Sequence, residues 1–120
     1  MNERTGAEAR LGQRFPMPGQ PQVQDMLAER VLGRVLDLSA GGLKMLVAEP
    51  LVDETLYQVR FMLPLDAGRS VPVIAGLQVL DQREDEDGML CTGTRFIHLE
   101  GACARQIVHW LATQSAPARA

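Results

Sequence analysis

Arg10 and Arg14 stand four residues apart near the start of the chain, and some twenty residues later comes the run Asp37-Leu38-Ser39-Ala40-Gly41-Gly42. A planar guanidinium offers parallel donors that match a phosphate or the acceptor edge of guanine. A carboxylate can accept from the N–H groups on guanine's other edge. A cationic fork followed by a tight, glycine-rich turn carrying a carboxylate and a hydroxyl could therefore read both halves of a guanine nucleotide. The same residues have a plainer use. Asp and Ser side chains commonly bond backbone groups two residues on and simply build a turn, and a basic pair on a polar arm is ordinarily solvated.

These residues need elements to hold them. Residues 1–14 are polar, interrupted by Gly6 and without helical or strand periodicity, and predict a flexible N-terminal arm carrying Arg10 and Arg14. Pro16, Pro18 and Pro21 rule out a helix and favour an extended path, with a first strand from about Gln22. Residues 29–38 and 43–47 are rich in Val and Leu and flank the turn, as adjacent strands would. Residues 56–63 give the cleanest alternation, with Tyr57, Val59, Phe61 and Leu63 on one face and Gln58 and Arg60 on the other. Residues 71–82 and 89–98 predict a hairpin whose tip is the charged stretch Arg83 to Gly88. From 100 to 114 the period changes: Cys103, Ala104, Ile107, Val108 and Leu111 share one arc of a helical wheel, with Trp110 at its margin.

The expected fold is mainly β: a small six-stranded antiparallel β-barrel closed by a C-terminal α-helix. The barrel and helix occupy residues 15–114 and a disordered tail follows over 115–120.

Composition narrows the function. A chain of 120 residues with 46% hydrophobic content suits one domain. The stretch from Ser70 to Leu80 is too short, and too broken by Pro72 and Gly76, to cross a bilayer. No basic segment followed by an apolar run opens the chain, so a soluble, cytoplasmic protein is expected. A net charge of -3 argues against general nucleic-acid binding, which needs a broad basic surface. Any anionic ligand must be small and met locally. Lys44 is the only lysine among twelve basic residues. Cys91 and Cys103 lack metal-ligand spacing and predict two reduced core thiols, and Glu84 to Asp87 lacks the order of a calcium loop. His98 and His109 have no serine or cysteine neighbour of the kind that marks nucleophilic catalysis, so neither a metal centre nor an enzyme is expected.

The order R-x-x-x-R, then D-x-S-x-x-G, met by Arg10, Arg14, Asp37, Ser39 and Gly42, resembles the PilZ family of bacterial receptors for the second messenger cyclic di-GMP. Gly93-Thr94-Arg95-Phe96 is similar to the strand near the end of that fold, and the likeness runs from about Arg10 to Gln114. The resemblance implies that Arg10 and Arg14 hold the phosphates and the O6/N7 edge of the guanines. It implies that Asp37 accepts from guanine N1–H and N2–H, that Ser39 adds a polar contact, and that Gly41 and Gly42 let the backbone approach. It further implies an arm that folds over the nucleotide and signals to an unidentified protein partner, in motility or biofilm control, with no cofactor beyond the ligand. Two positions depart from the pattern: Ala9 stands where many relatives carry another arginine, and Leu80 where some carry a tryptophan that stacks on a base.

Two other readings compete. A PilZ-like interaction module, working through a fixed protein contact in motility or pilus assembly, would keep the barrel without using the nucleotide. Members lacking the arginines fit that description. A small barrel for single-stranded nucleic acid would need stacking aromatics and a basic stripe, against an aromatic content of 4%.

Overall fold

The computed structural model describes residues 13–66 and 68–115. Within them run seven strands and one helix: β1 (Phe15–Pro16), β2 (Gln22–Asp25), β3 (Arg30–Leu38), β4 (Leu43–Val47), β5 (Leu56–Pro64), β6 (Ser70–Glu84), β7 (Leu90–Leu99) and α1 (Gly101–Ser115). Six of the strands close into a ring in the order β2-β5-β6-β7-β4-β3, with β3 returning to β2. Every pairing is antiparallel. Closure gives each strand of the ring two neighbours and leaves no edge to template aggregation. The alternation over 56–63 translates directly, since Val59, Phe61 and Leu63 point into the barrel and are buried. Among the described residues no helix is long and apolar enough to cross a membrane.

The barrel core is continuous with the apolar stripe of α1, whose Ile107, Trp110 and Leu111 join Leu38, Leu43, Phe61 and Leu77 in one buried cluster. Each such large apolar side chain contributes about 1.5–3 kcal/mol on leaving water. The stripe is rotated from the sequence expectation. Val108 is 42% exposed and Trp110 only 4%. Positions 103, 107, 110 and 111 are the ones one helical face aligns, and the large indole takes the inward place.

A second difference lies near the start. The proline-rich stretch, expected to be extended with the first strand only from about Gln22, contributes the two-residue strand β1, which pairs Phe15 with Leu38 and Pro16 with Asp37. Met17 N–H then donates to the Leu36 carbonyl oxygen at 3.0 Å, and Val35 N–H to that of Pro21 at 2.8 Å. Proline is tolerated here because β1 is a short flanking strand outside the ring. The charged hairpin between β6 and β7 forms as expected. Its Asp85 Oδ1 accepts from the N–H groups of Asp87 and Met89, each at 2.9 Å, so this part of the acidic run builds a turn.

Candidate functional site

Asp37 sits near the end of β3, where the β3–β4 register slips by one residue between Val35 and Asp37. Val35 and Leu38 both point inward and are fully buried. An extra residue, Leu36, therefore has to be absorbed between them, and this bulge turns Asp37 outward. On the other side of β3, the pairing of β1 fixes the chain beside Asp37. Arg14, immediately before β1, reaches across, and its Nη1 donates to Asp37 Oδ1 at 3.2 Å. The two side chains are 35% and 19% exposed, so the pair is accessible from solvent. Arg10 lies outside the described residues.

Past Asp37 the chain enters the Ser39–Gly42 turn. Neither Ala40 nor Gly41 takes a positive φ, so the turn does not use the mirror-image geometry common in two-residue hairpins. Ser39 supplies the closure instead. Its N–H donates to the Gly42 carbonyl oxygen at 2.9 Å, its hydroxyl donates to the same oxygen at 3.2 Å, and Gly41 N–H donates to the hydroxyl at 3.3 Å. Ser39 is buried, at 5% exposure, and its single hydroxyl proton is spent inside the turn.

The two glycines play different parts. A Cβ on Gly42 would collide with the Thr94 carbonyl oxygen and stand 2.8 Å from Arg95 Cα, so the missing side chain lets β7 close onto the turn. Gly41 has nothing within 4 Å of such a Cβ, and its carbonyl oxygen accepts from Phe96 N–H at 2.8 Å. Gly41 is therefore exposed at the turn, with open space where a side chain would stand.

The outer face continues across three more strands. Lys44 of β4 lies opposite Asp37, Gly93 of β7 opposite Lys44, and Asp81 of β6 opposite Gly93. Beside Asp81, Leu80 occupies the bulge of β6 between Val79 and Asp81 and is 53% exposed. The position at which some relatives carry a stacking tryptophan is thus solvent-facing here. Reading from sequence did not single out Lys44. Hairpin symmetry about Ala40 and Gly41 was the available signal, since it sets position 37 against position 44. A groove of about 490 Å3 lies elsewhere, between the β5–β6 turn and α1, where Arg69, His109 and Trp110 line it.

A family model described as the PilZ domain matches residues 8–113. No curated protein matches the chain. Among solved structures it is similar to the Bacillus subtilis inhibitor of motility MotI/DgrA, with 13% identity, a TM-score of 0.72, and coverage of 84% of this chain and 48% of that one. It is also similar to Escherichia coli YcgR in complex with c-di-GMP, at 21% identity and a TM-score of 0.67 over 85% of this chain and 44% of that one. A third likeness is to the PilZ domain of E. coli YcgR with c-di-GMP, at 19% identity and a TM-score of 0.59 over 86% of this chain and 91% of that one. At such identities the likeness is one of fold. The chain spans about half the length of the first two.

Proposed function

Because the chain belongs to the PilZ domain family, with a match over residues 8–113, we propose that it is a cyclic di-GMP receptor that acts as an adaptor and not as an enzyme. The observation that carries this reading is the 3.2 Å contact between Arg14 and Asp37, at the lip of the Ser39–Gly42 turn. It joins the two halves of a motif separated in sequence. Two of the similar structures, both of YcgR, hold c-di-GMP.

In this reading Arg14, joined by Arg10, takes the phosphates and the acceptor edge of guanine, and Asp37 accepts from N1–H and N2–H. Ser39 holds the turn in shape, and Gly41 offers backbone over which the base can lie. The ion pair is exchanged on binding: Arg14 leaves one carboxylate oxygen for the ligand, and that oxygen becomes free for guanine. Each charge-assisted hydrogen bond contributes about 1.5–3 kcal/mol, and ordering the arm opposes binding by about 1–2 kcal/mol per residue fixed. The balance gives micromolar affinity. The nucleotide shifts the population toward an arm-closed state only through contacts the open state lacks. The closed arm over residues 1–14 then forms a surface for a protein partner, in the cytoplasm and in control of motility.

Isothermal titration of cyclic di-GMP into the full chain tests the reading. Saturable binding in the micromolar range is expected. No heat at several hundred micromolar nucleotide, roughly a hundredfold above that range at 1.4 kcal/mol per decade, contradicts it and leaves the nucleotide-independent interaction module.

A further inference from the structure

We infer that Lys44 is an additional phosphate contact of the nucleotide site, an inference that rests on the cyclic di-GMP reading above. Lys44 is the only lysine of the chain. Its β4 neighbours Leu43 and Met45 are fully buried, which puts the Lys44 side chain on the outer face. Cross-strand pairing sets it opposite Asp37 on one side and Gly93 on the other, with Asp81 next along the row. Asp81 leans over Gly93, since its Oδ1 stands 2.5 Å from where a Gly93 Cβ would be.

Directly opposed side chains on a sheet have Cβ atoms about 4.5–5.5 Å apart, so the ammonium could reach Asp37. It does not. Among the described residues Lys44 makes no ion pair with either carboxylate, and the two ion pairs present are Arg14–Asp37 and Arg69–Asp66. A half-buried cation held between two carboxylates and paired with neither retains its capacity to bind an anion.

The charge arrangement gives that capacity a use. Asp37 and Asp81 would repel a dianionic ligand lying across the face, and Arg14, which leaves Asp37 for the ligand in the reading above, approaches only from the β1 side of the row. Lys44 is the one cation placed in the row between them. Its ammonium is a compact donor of the kind that holds phosphate as a point charge. The guanine then lies toward Asp37 and Gly41, with a phosphate over Lys44.

Titration calorimetry with cyclic di-GMP on wild type, Lys44→Gln, Lys44→Arg and Arg69→Gln tests the assignment. Arg69→Gln removes an exposed charge at the β5–β6 turn, at the opposite end of β6 from Asp81. Lys44→Gln is expected to weaken binding about tenfold and to flatten its dependence on salt, as loss of one charge-assisted bond should. Lys44→Arg is expected to stay within about threefold of wild type and Arg69→Gln to match it. Wild-type affinity in Lys44→Gln, or an equal loss in Arg69→Gln, overturns the role of Lys44 while the receptor reading stands. Absence of binding by wild type overturns both.

Discussion

Arg14 and Asp37 are joined by a partly exposed ion pair, and exposed pairs contribute at most about 1 kcal/mol to folding. In the proposed function their conjunction serves what they hold and not what they stabilise. The neighbouring residues separate turn-building from ligand contact. Ser39→Ala removes the hydrogen bond a buried hydroxyl donates to Gly42 and the one it accepts from Gly41, and chemical denaturation should show a loss of about 1–3 kcal/mol. Gly41→Ala meets only open space, so stability should stay within about 0.5 kcal/mol. The added methyl stands where the base is proposed to lie, and calorimetry should find binding weakened. Normal affinity in Gly41→Ala would move the nucleotide off this backbone. Asp37 and Ser39 were legible in the sequence as a pair. The internal use of the serine hydroxyl was not, because D-x-S spacing is the same whether the hydroxyl bonds the turn or a ligand.

At the scale of elements, three devices position the face. The bulge at Leu36 turns Asp37 outward, β1 delivers Arg14 to it, and the bulge at Leu80 exposes the outer surface of β6. The last gives a gain-of-function prediction. Leu80→Trp places an aromatic where Leu80 is already half exposed, and stacking on a base contributes about 1–3 kcal/mol. Affinity for cyclic di-GMP should rise about tenfold, with the melting temperature little changed. An unaltered dissociation constant would show that the ligand does not extend across to β6. Strand β5 was legible because its alternation is uninterrupted over 56–63. Strand β1 was not, because two residues, one of them proline, carry no periodicity, and only the partner β3 makes them a strand. The orientation of α1 was half legible. Ile107 and Leu111 follow from spacing, whereas the choice of Trp110 over Val108 is made by packing into the shared core.

For the whole molecule, closure of six strands makes the barrel a self-contained scaffold, with α1 packed into the same core. Trp110→Ala should cost about 3–5 kcal/mol in denaturant unfolding, and a variant losing under 1 kcal/mol would mean that the helix is dispensable to the core. On this scaffold the strands themselves set Asp37 and Lys44 opposite each other, and the arm is the part the nucleotide is proposed to recruit. The most direct test titrates cyclic di-GMP into wild type and Arg14→Ala while following the amide resonances of residues 1–14. In wild type those resonances should shift and saturate together with residues 37–42. In Arg14→Ala they should fail to do so, with affinity reduced about tenfold or more. Unchanged binding in the variant, or saturation at residues 37–42 with the arm unaffected, would contradict the account.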